Sequence, residues 1–516
     1  MHYQIDTRER ASDIQTYQPT KPCQVRIYYK HEFNIWVFVD NSEAVTDTIA
    51  IKMDGKSETN HLENLSKAMN KARDFAILVM TFILYKVARS LLLSVQKFTW
   101  AVTGIEGKRR SAKKGLNFKQ SAHVQDIKWR RKIVVANIAD PSDFVTVHNC
   151  FKHPSYVLHS NVSLYCITKE EAVFVETPDD INIYSKKMNQ YLYKAQFYYA
   201  KRLISMPLAS FHKIAQDLGD PRIPVVWVSS TGQCGSTMFS NIFATLPGTI
   251  LLAEPDALTN LSFLRKSKVS EQGEYEQLLA SSVRLLCKPD DRAGMVCIKT
   301  RHCCAAQMRD LSKYFPKHRY IFLYRNSMKT VSSYLSLFTS EPIPRSVKYI
   351  ADNSVLSTIL PCFRRYLYYY TCYVLDDDTA HIKPSSMSTV GMFTRSWAAA
   401  INRCSEATEK GIRVLPMLYD DVMKNPRRTC SVLFEQLGIR SQYVSLALEA
   451  FKVDFQKGSG MIGQDSRKLV THDMRVEADA ILKLFNLPKL GERYEINGLV
   501  DFDSHLSRVA SRDKLL

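Results

Sequence analysis

For a chain of 516 residues this one is short of cysteine: there are twelve, none spaced as CxxC, and only Cys303 and Cys304 are adjacent. That excludes a dense disulfide framework and the common zinc-binding spacings, so no metal is expected, and a reducing compartment fits better than an oxidising one. Acidic residues are in deficit, 51 Asp and Glu against 70 Lys and Arg, and the net charge of +19 favours anionic partners: nucleotides, acidic glycans, nucleic acid or a membrane surface. Charge alone does not choose among them, and no specific nucleic-acid partner is expected. Residues 1–70 lack the apolar core of a secretory signal, being polar and mixed in charge. No internal repeat or low-complexity tract is visible before residue 224. Apolar residues are plentiful: at 45% they can bury a sizeable core, and the length leaves room for two or three domains.

Also missing is an apolar run of membrane-spanning length free of charge. Phe75 to Val95 opens with eleven apolar residues, FAILVMTFILY, but Lys86 and Arg89 follow near its middle. Each would cost about 2.5–3.5 kcal/mol at a bilayer centre. A simple span is therefore disfavoured, and an interfacial helix and a buried core helix both stay open. The basic run after it (Lys108, Arg109, Arg110, Lys113, Lys114, then Lys128, Arg130, Arg131, Lys132) suits either an anionic membrane surface or a solvated linker. If the segment did span, that charge would put the rest of the chain in the cytoplasm. Glycosylation tripeptides at Asn64, Asn161 and Asn260 argue the other way. The expectation is an intracellular protein, cytoplasmic or peripherally membrane-associated, in preference to the Golgi lumen.

The pattern divides the chain into a polar region (1–72), an apolar helix with a basic arm (73–132), a small β-rich module with a helix (133–220) and an α/β domain (221–516). The module rests on the strand-length runs IVVANI, VSLYCIT and EAVFVET, with Tyr191 to Ala215 reading as helical. From Pro224 onward, apolar runs at 225–229, 249–253, 295–299, 320–324 and 414–419 alternate with helix-length segments. That predicts an α/β fold: a mainly parallel sheet covered by helices. Ligands of such sheets sit at the carboxyl ends of the strands, so the residues to inspect are Thr231 to Thr237, Glu254, Lys299 to His302, Arg325 and Tyr419.

The most telling stretch is VVWVSSTGQCGSTMFSNIF, Val225 to Phe243: a strand, a glycine loop and a helix. Gly232 and Gly235 let backbone N–H groups converge, and Ser236 and Thr237 open the helix at its partly positive end. Thr231, Gly232, Gln233, Cys234, Gly235, Ser236 and Thr237 would thus cradle a phosphate or sulfate. No Lys precedes Ser236 or Thr237, so this is not a Walker A loop, and a purely structural turn remains open.

Two further stretches carry a resemblance. In YIFLYRNSMKTVSSYLSLF, Arg325 ends a strand and Ser333 follows in a helix, similar to the 3′-phosphate-binding segment of sulfotransferases; VLPMLYDDVMKNPRRTCSVLFEQLGI resembles their strand, Tyr-acidic-acidic turn, Asn-Pro and amphipathic helix. With the loop at 231–237, three motifs stand in the family's order over about residues 225–440. The resemblance implies a P-loop-type α/β fold, 3′-phosphoadenosine 5′-phosphosulfate as donor, and transfer of a sulfuryl group to an acceptor hydroxyl on a carbohydrate, including an acidic glycan, or on a small molecule. It further implies that the loop holds the 5′-phosphosulfate, Arg325 and Ser333 the 3′-phosphate, and Tyr419 the adenine side. Lys457, in a partial match to the family's Arg-Lys-Gly cluster, would add a phosphate contact.

The chain departs from the family at Gln233, where members usually carry Lys or Arg. Losing one such electrostatic contact can cost about 10²–10³ in rate. Lys299, in IKTRH, matches a Lys that precedes the catalytic His in cytosolic members and would supply the missing charge. For the general base there are two candidates: Glu254, resembling a Glu-Pro of carbohydrate sulfotransferases, and His302, one residue beyond the family's His position, which Arg301 occupies. Two other readings stay open: a nucleotide-binding scaffold without turnover and, more distantly, a kinase or nucleotide hydrolase.

Overall fold

A computed structural model of the chain describes residues 24–30, 34–40, 55–133, 135–184, 191–266, 272–288, 293–340, 353, 355, 388–453 and 470–502. Lys457, with its neighbours Gln456 and Gly458, lies outside them. The chain divides into two compact units, Met1–Ile77 and Leu78–Leu516. In the first, β1 (Gln24–Lys30) and β2 (Asn34–Asp40) form an antiparallel hairpin with Tyr28 opposite Trp36. Helix α1 (Gly55–Val102) begins in that unit and includes the whole apolar segment predicted at 75–95.

The second unit continues with α2 (Ile105–Lys113) and a five-stranded antiparallel sheet: β3 (Ala122–Arg130), β4 (Phe144–Lys152), β5 (Val162–Ile167), β6 (Glu171–Glu176) and, after α3 (Leu192–Tyr199), β7 (Arg202–Pro207), in the order β4-β3-β7-β6-β5. Three expectations are corrected here. IVVANI is not a strand among the described residues, because its backbone serves other groups: Asn137 O accepts from Lys132 Nζ at 2.8 Å and Ala136 O from Arg301 Nη1 at 2.9 Å. Ala122–Arg130, taken as part of a basic arm, is an inner strand paired on both sides, Val124 facing Cys150 and Ile204. Arg202–Pro207, read as helical, is the middle strand; Leu203, Ile204 and Met206 are all buried, and an apolar run buried on both faces has no period by which to tell strand from helix.

After α4 (Leu208–Leu218) come β8 (Val225–Ser230), α5 (Ser236–Ala244), β9 (Thr249–Ala253), α6 (Asp256–Lys266), α7 (Gln272–Leu286), β10 (Met295–Lys299), α8 (Met308–Tyr314), β11 (Arg319–Tyr324), α9 (Ser327–Ser340), α10 (Thr389–Glu409), β12 (Val414–Leu418), α11 (Pro426–Leu437) and α12 (His472–Leu484). Every pairing among these five strands is parallel, in the order β12-β11-β8-β10-β9. The sheet is buried on both faces, as parallel sheets are. Val225 and Trp227 join one apolar cluster with Ile298 and Phe322; Val226 and Val228 point the other way and join Ile321, Leu323 and the α5 residues Phe239, Ile242 and Phe243. The first cluster also contains Val124, Leu164, Phe174 and Ile204, so the antiparallel sheet shares its core with the parallel one. The register sets Ser230 beside Leu323, Ala253 beside Lys299 and Tyr324 beside Leu418. One rim therefore carries all five strand ends, and the strand order reverses at β8, the strand that feeds the glycine loop.

Candidate nucleotide-binding and transfer site

The loop after β8 is tied down before it turns. Thr231 is fully buried and donates its backbone N–H to Leu323 O at 3.2 Å, and the buried Cys234 Sγ reaches the same carbonyl at 3.4 Å. Gly232, Gln233 and Gly235 have φ of +76°, +48° and +75°. Glycine is forced twice over: a Cβ at Gly232 would stand 2.0 Å from Tyr334 Oη, and one at Gly235 would stand 2.2 Å from the ring of Tyr419. Tyr334 cannot easily yield, since its ring is buried and stacks on Phe393 at 4.5 Å. Gly235 then hands the chain to α5, whose first residues are Ser236 and Thr237. Backbone donors at a helix start, approached across positions without side chains, suit an anion.

Arg325, the first residue past β11, and Ser333, eight residues on in α9, both converge on this loop. Ser333 Oγ donates to Gln233 Oε1 at 3.0 Å, and Arg325 Nη1 lies 3.5 Å from Gln233 O. The Arg325 guanidinium packs over the Tyr419 ring at 5.2 Å, its backbone carbonyl accepts from Trp397 Nε1 at 2.9 Å, and its Nε is buried without a hydrogen-bond partner. Among the described residues it faces no carboxylate within ion-pair distance. A half-buried, uncompensated guanidinium beside a helix start fits a phosphorylated nucleotide. A small cleft of about 140 Å³ opens beside it, lined by Tyr324, Arg325, Lys329, Trp397 and Arg493 among others.

The other half of the site is a buried ionic corner. Lys299, at the end of β10, pairs with Glu254 just after β9, and its Nζ also stands 3.4 Å from Thr237 Oγ1 at the start of α5. Glu254 adopts φ +58°, a conformation a non-glycine residue holds only where its surroundings fix it. Arg301 Nε lies 3.6 Å from the same carboxylate, and Arg301 Nη2 lies 2.9 Å from Asp256 Oδ1. Asp256 also accepts from Ala139 N at 2.9 Å. Burial pushes the Glu254 carboxyl up, but Lys299, Arg301 and the Lys299 hydrogen bond outweigh it and hold the group below its ordinary 4.5. Burial likewise works against the Lys299 ammonium, and Glu254 with Tyr191 more than offsets it, so its pKa is raised. Asp256 goes the other way: burial prevails over Arg301 and Lys132. His302 is buried beside the loop, its ring edge-on to Tyr334 at 6.1 Å, and its charge would lower Glu254 further.

The structure thus gathers Thr231 to Thr237, Arg325, Ser333 and Tyr419 around one turn, with Lys299, Glu254 and His302 alongside. Sequence reasoning passed over Asp256 and the tyrosines of the preceding module. Tyr191 lies under Lys299 at 5.2 Å and Tyr193 under Arg301 at 4.3 Å. Asp256 was discoverable, two residues after Glu254 in EPD; the tyrosines were not, because nothing in their own segment signals the contact. No protein-family model and no curated protein matches the chain. Among solved structures, the crystal structure of sulfotransferase STF9 from Mycobacterium avium aligns with a TM-score of 0.31 at 11% identity, covering 55% of this chain and 83% of that one.

Proposed function

We propose that the chain is a sulfotransferase that moves a sulfuryl group from 3′-phosphoadenosine 5′-phosphosulfate to an acceptor hydroxyl on a carbohydrate or small molecule. The observation that carries the reading is the convergence of Arg325 and Ser333 on a glycine loop at a helix start, with Lys299 three to four ångströms from that helix. The donor would supply an activated sulfuryl group. The loop from Thr231 to Thr237 would hold its 5′ side, and Arg325 with Ser333 its 3′-phosphate. Lys299, kept charged by Glu254, would stabilise negative charge on the departing oxygen, the task Gln233 cannot perform because it is neutral and its amide is turned to Ser333. Transfer forms a bond from acceptor oxygen to sulfur, breaks the bond from sulfur to the bridging oxygen, and leaves the acceptor proton on Glu254 or His302.

A catalytically silent nucleotide-binding scaffold is the second reading, favoured by Gln233 alone. Transfer of radiolabelled sulfate from the donor into glycan, steroid, phenol and lipid pools separates the two. On the enzyme reading wild type transfers, and Glu254→Gln or His302→Ala abolishes transfer while binding of 3′,5′-adenosine bisphosphate, the nucleotide left after transfer, survives. Wild-type inactivity towards every pool, with Gln233→Lys gaining some, would establish the scaffold. Transfer that survives both base substitutions would remove both proposed bases.

A further inference from the structure

The part of α1 between Leu78 and Val102 has two unlike faces. Its inner face is bound to the edge of the antiparallel sheet: Tyr85 Oη donates to Ser142 O at 3.0 Å, Lys86 Nζ to Ser142 Oγ at 2.6 Å, Arg89 Nε to Phe144 O at 3.0 Å and Gln96 Nε2 to Thr146 O at 2.8 Å. These side chains meet edge-strand carbonyls of β4 and the turn before it, and they absorb the two charges that argued against an apolar environment. The outer face runs Met80, Leu84, Val87, Leu91, Val95, Phe98, at helical spacings of three and four, and each of these side chains is 55–71% exposed. At 1.5 Å per residue this uncharged stripe is about 27 Å long. Ala76–Val102 is apolar enough to cross a membrane, yet only 11% of its most apolar window is buried.

We infer that this stripe docks the protein on an anionic lipid surface, with the helix lying in the plane of the interface and not crossing the bilayer. Orientation follows from the inner face. The sheet edge is hydrogen-bonded to the middle of the apolar stretch, so a spanning helix would carry Asp140, Asp143 and the β4 backbone into hydrocarbon, where unsatisfied polar groups are prohibitive. A helix lying flat buries only the outer stripe and leaves the sheet in water. The occupant follows from charge. Exposed Lys97, Arg110 and Lys114 lie on or just beyond the helix, and a chain of net charge +19 repels its own copies while anionic headgroups attract it. The stripe carries no charged side chain to fix the register of a protein partner, and the exposed Ser94 beside it turns its hydroxyl back to Ser90 O at 3.0 Å.

Sedimentation of the full chain with vesicles of phosphatidylcholine, with and without phosphatidylserine, tests the docking. Wild type should bind the anionic vesicles, and Leu84→Glu/Leu91→Glu should bind at least about tenfold more weakly, with unchanged circular dichroism and thermal midpoint because both positions face solvent. Fluorophores at Leu84→Cys, Leu91→Cys and Phe98→Cys, quenched by brominated lipids, test the orientation: a helix in the plane puts all three at one depth. A depth maximum at residue 91 with shallow flanks would mean a crossing helix and overturn the in-plane placement. No vesicle binding would overturn the docking itself; a dimer that dissociates on Leu84→Glu/Leu91→Glu would then assign the stripe to a second copy.

Discussion

Lys299 and Glu254 hold each other in ionised form inside the protein, with side chains only 4% and 14% exposed. Removing one partner strands the other's charge, so Lys299→Met alone should cost about 3–5 kcal/mol in denaturant unfolding, and Lys299→Met/Glu254→Gln distinctly less than the sum of the two single substitutions. The pH dependence has a definite sign. Glu254 titrates below its ordinary 4.5 in the folded state, so its stabilisation is complete above that value and is lost as pH falls through the lower folded pKa. Wild type should therefore lose stability on acidification more steeply than Glu254→Gln, as read from unfolding midpoints across the acid range. The same lowered pKa makes Glu254 a weaker proton acceptor than a free carboxylate and a better counter-ion for Lys299. Gly235→Ala should lose about 1–2 kcal/mol through its positive φ, and more as Tyr419 is displaced; Tyr419→Ala in the same chain should relieve only the second part. Loop, Arg325, Glu254 and Lys299 were legible because each leaves a strand end, and strand ends can be counted from apolar runs. Asp256 stood in view two residues after Glu254 but was passed over; Tyr191 and Tyr193 were not legible, since their roles arise only when distant elements pack.

Among the elements, the five parallel strands were readable to within one residue at either end, since each is a short apolar run bounded by polar turns. Of the antiparallel sheet, β5 and β6 were readable as VSLYCIT and EAVFVET, and the rest was not. Its strands β3 and β7 carry charge or lie among helical neighbours, and pairing fixes their state more than local preference does. If Arg202–Pro207 is the middle strand, Ile204→Ala leaves a cavity between two packed layers and should cost about 2–5 kcal/mol, with an unchanged dependence on denaturant. A cost under about 0.5 kcal/mol, the level of a surface site, would contradict that placement. Helix α1 shows the reverse difficulty: its existence was plain, while the direction of Lys86 and Arg89 depended on where the edge of β4 lies.

For the molecule as a whole, a single apolar cluster runs from Ala122 to Ile496 and joins the antiparallel sheet to the parallel one. A truncation beginning at residue 221 removes about a quarter of that cluster's buried residues and uncovers those they pack on, so it should be aggregated or molten, with near-ultraviolet circular dichroism lost, whereas a chain beginning at residue 78 should keep it. The shared core also brings Tyr191, Tyr193 and Ala136 to the ionic corner, so on the proposed sulfotransferase reading loss of the antiparallel sheet should abolish transfer. On the proposed function, the rim of the parallel sheet reads a nucleotide carrying a 3′-phosphate. Calorimetric titration of the full chain with 3′,5′-adenosine bisphosphate and with ATP tests it directly. The bisphosphate should bind, ATP should not, and Arg325→Ala should weaken the bisphosphate by about 2–3 kcal/mol, the worth of a charge-assisted hydrogen bond. Equal affinity for the two nucleotides, or an Arg325→Ala variant that binds as wild type does, would contradict it.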